Sequence, residues 1–232
     1  MNKFTPLVSV IMSAKNSEQT VSQAVKSIQA QTYENIEILI LDDASTDNTF
    51  EILSELADSD RRIKLYKNQK NIGLTKSLNK LISFANGSYI ARQDSDDYSE
   101  KNRIELQIQH IELQNLDAST TRAKILNSNR KIPGLSYYIP YKLSMRYKNP
   151  FIHGTLIISK KIMNNLGNYD ENYYFAQDYK LMKDFLNAGY KVRSLSKTLY
   201  YLNTKNNISQ NNKDEQNYYF ECARKNLKPK IN

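Results

Sequence analysis

The chain has 232 residues, 40% of them hydrophobic and 25% charged, which is ordinary globular usage and excludes a fibrous or wholly disordered protein. Its formal charge of +9 favours an anionic partner, whether nucleic acid, an anionic lipid surface or a phosphorylated substrate, without choosing among them. One cysteine, Cys222, excludes an internal disulfide and a cysteine metal cluster, and fits a reducing compartment.

The opening apolar run meets Lys15 and Asn16 too early for a signal sequence, so residues 8–13 are predicted as a first strand. Nowhere do roughly eighteen apolar residues run together, so no segment is expected to cross a bilayer. Val21, Ala24, Val25 and Ile28 recur at helical spacing, with Ser17 as the expected cap. Residues 36–41 form a continuous apolar run broken by Glu37, a predicted strand ending at Asp42 and Asp43. Phe50, Leu53 and Ala57 then mark a helix. A third strand falls at residues 63–66, and Leu74, Leu78, Leu81 and Ala85 form a third helical stripe. The Asn86-Gly87 turn leads into a strand at 88–92.

This alternation predicts a mainly parallel sheet with right-handed crossovers and helices on both faces. A ligand then belongs at the strand carboxyl ends, where the acidic clusters fall. Beyond a helix carrying Ile104, Ile108 and Ile111, residues 117–150 are expected to be loop-rich, because Pro133, Gly134 and Pro140 interrupt the pattern. A strand at 155–159 and a helix at 160–166 follow. A helix from near Asp178 turns Leu181 and Phe185 inward and stops at Gly189. Residues 191–195 and 199–202 are predicted as two short strands, and the tail from Asp214 as a polar helix with a basic end.

The sequence IARQDSDD at residues 90–97 carries an apolar strand into the carboxylates of Asp94, Asp96 and Asp97. Like charges this close require a cation or hydrogen-bond donors. An Asp-x-Asp pair supplies the hard oxygen ligands with which a divalent ion neutralises a diphosphate. By themselves the same residues also suit a helix cap.

With its surroundings, however, this segment makes the chain resemble the family 2 glycosyltransferases of GT-A fold over about residues 7–209. The similarity runs in order through VSVIM with Asn16, LDDASTD at 41–47, NIGLTKSLN at 71–79, DSDD at 94–97, His153-Gly154, GNYD at 167–170 and Gln177-Asp178. The resemblance implies a Rossmann-like three-layer α/β/α fold with a mainly parallel central sheet. Residues 1–209 would form the GT-A domain, with a nucleotide-binding part at 1–98 and an acceptor-binding part at 99–209, followed by a basic helix or tail at 210–232.

The implied activity is transfer of one sugar, with inversion, from a nucleotide-sugar donor (commonly a UDP-sugar) to a saccharide or lipid-linked saccharide acceptor, as in bacterial surface polysaccharide or lipooligosaccharide synthesis. Asp42 would accept a hydrogen bond from the base, and Asp94 would face the ribose or donor sugar. Ser13, Asn16, Asn71 and Lys76 would join them on the donor. Asp96 would bind Mg2+ or Mn2+, with Asp97 as a helper or helix cap, and Asp178 would be the general base. His153 suits either an acceptor or phosphate contact or a structural role, and Lys76 either the donor or a solvated helix face. Tyr137, Tyr138, Tyr141 and Tyr147, interleaved with Lys142 and Arg146, read as an acceptor wall, an interfacial patch or a half-buried loop.

This sequence departs from the family pattern at Gln177, where an acidic residue is common, and in the segment Tyr200 to Ser209, where a histidine is common and this chain has Asn203, Lys205 and Asn206. Lys205 there is expected to contact the pyrophosphate instead. A nucleotidyltransferase is the first alternative, disfavoured because residues 8–19 contain no glycine. A nucleic-acid-binding module is the second, disfavoured because the basic residues form no recognised motif and the proposed binding edge is acidic. No nucleic-acid partner is therefore expected. The expected location is cytoplasmic, with peripheral contact at an anionic membrane surface.

Overall fold

The structure, a computed structural model, describes residues 5–204 and 213–230. Lys205 and Asn206 lie outside the described residues. The strands are β1 (Val8–Ala14), β2 (Ile36–Asp42), β3 (Ile63–Lys67), β4 (Tyr89–Arg92), β5 (Tyr98–Ser99), β6 (Ala118–Ile125), β7 (Lys131–Ile132), β8 (Ile157–Ser159) and β9 (Val192–Leu202). The helices are α1 (Val21–Gln29), α2 (Thr49–Ser59), α3 (Leu74–Phe84), α4 (Arg103–Gln114), α5 (Tyr141–Ser144), α6 (Lys160–Asn165), α7 (Gln177–Asn187) and α8 (Lys213–Lys225).

The sheet order is β3-β2-β1-β4-β8-β6-β9-β5, with β7 beside β6. The first four strands are parallel, as the alternation of apolar runs and helical stripes requires. Successive side chains on a strand face opposite ways. Val8, Val10 and Met12 accordingly pack with Ile38, Ile40 and the stripes of α1 and α4, whereas Ile11, Leu39 and Leu41 pack with α3, α6 and α7. Each such side chain removed from water contributes about 1.5–3 kcal/mol, so the two layers fix which way β1 and β2 present their ends.

Four sequence expectations are corrected. Ser17 does not cap α1 with its side chain: its carbonyl receives the Thr20 and Val21 amides at 2.9 Å each, and its hydroxyl donates to the Lys15 carbonyl. The stretch 117–150 is not only loop, because β6 lies inside the sheet between β8 and β9. Its Ser119, Thr120 and Thr121 are almost completely buried, which polar composition conceals. Burial of Ser119 and Thr121 is tolerated because their backbone groups are engaged: Gln107 donates to the Ser119 carbonyl at 2.9 Å and the Thr121 amide to the Thr155 hydroxyl at 3.1 Å, whereas the Thr120 hydroxyl has no partner among the described residues. The two short strands at 191–202 are one strand, β9. Its register against β6 shifts around Arg122, a bulge that reads in sequence as a gap. The strand expected at 155–159 is shorter, since His153–Thr155 is a 3-10 turn ahead of β8.

The charged interruption in β2 also finds its reason. Glu37 accepts hydrogen bonds from the Ser9 hydroxyl (2.7 Å), the Lys64 ammonium (2.9 Å) and the Asn86 amide (2.6 Å), joining β1, β3 and the turn before β4. Burial raises its pKa, but the Lys64, Asn86 and Ser9 donors outweigh that and hold it at about 2 against an ordinary 4.5. With a folded pKa below the unfolded one, this carboxylate stabilises fully above about pH 4.5, and the contribution is lost as pH falls toward 2. Glu37→Gln is expected to cost about 2 kcal/mol in chemical denaturation at neutral pH, with the difference from the parent closing in acid.

The C-terminal helix is packed rather than trailing. Cys222 and Ala223 of α8 are buried in the α7-side core, and Tyr179 meets Phe220 with ring centroids 4.4 Å apart. Lys183 of α7 donates to the Ala223 and Arg224 carbonyls at 2.8 Å. No helix among the described residues is long and apolar enough to cross a membrane.

Candidate active site at the carboxyl rim of the sheet

Loops after β1, β2 and β4 meet at one rim because short polar side chains tie them together. The Asn16 side-chain oxygen accepts the Thr46 amide (2.9 Å), and the Asn16 amide donates to the Ser45 hydroxyl (3.0 Å). Asn16 itself has φ 48°, a left-handed conformation that asparagine tolerates. Ser95, between the paired aspartates, bonds the Ser17 hydroxyl at 3.0 Å and accepts from Thr20 at 3.1 Å. Ser13 lies half-buried near the end of β1.

The adjacent aspartates at the end of β2 have different work. Asp43 accepts the Ile72 and Gly73 amides at 2.9 and 2.8 Å and the Asn68 side chain at 2.9 Å, so it builds the turn before α3. Asn71 supports the same turn by accepting the Gly73 amide at 3.1 Å. Gly73 has φ 85°, a left-handed conformation that favours glycine, and a Cβ there would also press the exposed Tyr174 ring aside. Lys76 follows, exposed in the first turn of α3. Asp42 is fully buried; its Oδ2 accepts the Ser45 amide at 3.2 Å, while Oδ1 has no hydrogen-bond partner among the described residues. An unsatisfied buried carboxylate oxygen is costly, and at a sheet rim it marks a place for a ligand donor.

After β4, two buried guanidinium groups lie beneath the acidic loop. Arg92, 2% exposed, pairs with Asp94 and donates to the Gln93 carbonyl. Arg103, fully buried, donates to the Arg92 carbonyl at 3.2 Å, and burial lowers its pKa to about 10. Burial, then the charges of Asp94 and Asp96, push Asp97 up to about 8. Asp97 accepts the Asn203 amide at 2.8 Å and a hydrogen bond from the Tyr200 hydroxyl, which in turn accepts the Asp94 amide at 3.1 Å. It therefore anchors the loop to β9 and does not cap α4, whose N-cap is Asn102.

Asp96 is half-buried and takes no part in these ties to β9. Burial, then the Asp94 charge, raise its pKa to about 6, and its own amide is the hydrogen-bond donor that opposes the rise. A half-buried carboxylate short of positive charge beside a second one is a hard-oxygen donor set that fits Mg2+ or Mn2+. No three His, Cys, Asp or Glu side chains are grouped to hold an ion among the described residues, so the remaining ligands fall to substrate oxygens or water.

The other wall comes from α7 and the turn before β8. Asp178 stands in the first turn of α7, and Asn149 donates to its Oδ2 at 2.7 Å. His153 Nε2 is 2.7 Å from the Tyr169 hydroxyl. Desolvation, then the Arg92 charge, lower the His153 pKa, against the opposing pull of both Asp178 and Asp94. The same two carboxylates act on Tyr169, whose pKa burial raises. Asp94 and Asp178 thus border one His153–Tyr169 pair.

Gly154 closes the gap between these walls. A Cβ on it would lie 2.6 Å from Asp94 Oδ2 and collide with the Tyr200 hydroxyl. Gly154→Ala is expected to cost about 1–3 kcal/mol by overpacking and to displace Asp94. Thermal denaturation together with donor binding would show both effects.

The sequence alone does not single out Arg92, Arg103, Tyr200, Tyr169 or Asn149. The available signal is an arginine ending an apolar strand at Arg92; Asn149 is hidden in the stretch read as loop. Cavities of about 380 Å³ beside α1 and β5, and about 400 Å³ at the turn between α6 and α7, are not lined by Asp42, Asp94, Asp96 or Asp178.

A parallel first half with acidic loops at its carboxyl rim, completed by a mixed second half, is the GT-A class of α/β fold. Residues 9–167 match the sequence profile of glycosyl transferase family 2, and the chain belongs to that family. It is 32% identical over 200 residues to an uncharacterized glycosyltransferase of Haemophilus influenzae, covering 79% of this chain and 61% of that protein. It is 34% identical over 191 residues to the Escherichia coli UDP-Glc:alpha-D-GlcNAc-diphosphoundecaprenol beta-1,3-glucosyltransferase WfaP, covering 81% and 73%. The crystal structure of Staphylococcus aureus TarS 1-349 superposes with a TM-score of 0.73 at 25% identity, covering 84% of this chain and 60% of that one. The chain therefore spans about three fifths of the Haemophilus protein and of the TarS fragment.

Proposed function

We propose that this chain carries out glycosyl transfer with inversion, moving one hexosyl or N-acetylhexosaminyl group from a UDP-sugar to a hydroxyl of a saccharide or lipid-linked saccharide. The observation that carries the reading is the orphan Asp42 Oδ1, buried at the end of β2. A uracil ring offers the matching N–H donor. Asp94, held by Arg92, faces the donor sugar or ribose, and Asn16 and Asn71 keep the flanking loops in place. Ser13, near the end of β1, and Lys76, exposed in the first turn of α3, are assigned to the donor contacts in this reading.

In the reaction the acceptor oxygen bonds to the anomeric carbon as Asp178 takes its proton. The bond from that carbon to the diphosphate oxygen breaks, its electron pair leaving with the nucleoside diphosphate. One displacement inverts the configuration through a transition state of oxocarbenium character. Asn149 orients the Asp178 carboxylate for this transfer. Bound at Asp96, Mg2+ or Mn2+ would neutralise charge on the diphosphate leaving group. His153, satisfied by Tyr169, holds the acceptor wall rather than touching phosphate.

The similarity to WfaP supports a lipid-diphosphate-linked acceptor, and the reading extends to bacterial surface polysaccharide assembly on the cytoplasmic side of the membrane. A nucleotide-sugar panel scored by thermal shift and hydrolysis, with and without Mn2+, tests the reading. A UDP-sugar is expected to raise the melting temperature most. Equal response to adenine and uracil nucleotides would remove the role given to Asp42.

A further inference from the structure

Residues 118–169 hold nine Lys and Arg and no Asp or Glu, so they carry the whole +9 of the chain and the rest is balanced. Within this stretch, the turn Leu135–Tyr138 and α5 lie on β9 by their inner side. Tyr137 donates to the Ser194 carbonyl at 3.1 Å, the Ser194 amide donates to the Tyr141 hydroxyl at 3.0 Å, and Ser144 and Met145 are buried.

The outer side carries Lys142 and Leu143 of α5, Arg146 and Tyr147 one turn on, and Ile139 on the extended chain just ahead of the helix, and all five are exposed. Leu135 is 87%, Tyr138 75% and Tyr147 76% exposed. Large apolar side chains gathered on a surface mark an interaction site. Here they alternate with Lys142, Arg146 and Lys148, all exposed. Apolar groups sinking to the acyl boundary with cations at the head groups is the pattern of an interfacial segment. A second copy of the chain would set this positive patch against itself, so charge favours an anionic surface over a self-dimer. The stretch ends at Asn149, bonded to Asp178.

We propose that residues 135–148 dock on an anionic phospholipid surface and so present a lipid-anchored acceptor to Asp178, the second clause resting on the function proposed above. The full chain is tested by co-sedimentation with phosphatidylglycerol–phosphatidylethanolamine vesicles against phosphatidylcholine vesicles. Partition to the anionic vesicles is expected to be about tenfold or more greater and to fall with salt. Lys142→Gln with Arg146→Gln should weaken it about 25-fold, at about fivefold per charge. Leu135→Ser with Leu143→Ser should also weaken it, and both pairs, being exposed, should keep the parent melting temperature. Equal partition to both vesicle types, no sedimentation, or a dimer in sedimentation equilibrium that the same substitutions dissolve would overturn the docking. Vesicle preference without sugar transfer to any acceptor sinks the proposed function and leaves docking intact. Transfer to a soluble acceptor without vesicle preference does the reverse.

Discussion

Asp178→Asn is expected to lower kcat for transfer by about 10²–10⁴-fold while leaving the donor KM and Kd near the parent values, because a positioned base contributes about that much to proton transfer. The substitution is nearly isosteric, and the Asn149 side chain can still donate to the remaining oxygen of residue 178. Loss of the carboxylate from the first turn of α7 removes a favourable helix-dipole interaction worth less than about 1 kcal/mol, so folding is retained. Steady-state kinetics with a calorimetric donor titration separates the two quantities. Transfer at the parent rate, or a parallel loss of donor binding, would take the base role away from Asp178.

The second large effect is expected at the opposite wall. Asp96→Asn should weaken UDP binding in Mn2+ about a hundredfold, on the order of 3 kcal/mol, because the amide removes the negative charge that attracts a cation. In chelator the parent and the variant should bind UDP alike. The comparison is clean because Asp97 and Tyr200, not Asp96, tie this loop to β9. Asp97→Asn, by contrast, should act mainly on stability. A metal-dependent affinity unchanged by Asp96→Asn would mean that another residue holds the ion.

What could be read from sequence follows from how strongly each feature is encoded locally. β2 is legible because six of its seven residues leave no alternative to burial or to a strand end, and α3 because its apolar residues hold helical phase. β6 is not legible, since Ser119 and Thr121 are buried with backbone groups satisfied by Gln107 and Thr155, which lie elsewhere in the sequence. The bulge at Arg122 conceals the continuity of β9 for the same reason: it exists only against a partner strand. At the site, the positions of the carboxylates were legible and their division of labour only partly so. Asp42 and Asp43 are neighbours of one kind in sequence, but alternation along the chain sends one to the turn before α3 and leaves the other with an open oxygen. Nothing local reveals that Asp97 faces Tyr200 or that Arg92 lies under Asp94.

A diffraction structure of the full chain with UDP and Mn2+, the metal located by its anomalous signal, bears most directly on the account. The ion should lie against the Asp96 carboxylate, the uracil N–H on Asp42 Oδ1, and the diphosphate should open toward Asp178. A nucleotide seated instead in the cavity beside α1 and β5, or an anomalous peak away from Asp96, would contradict it.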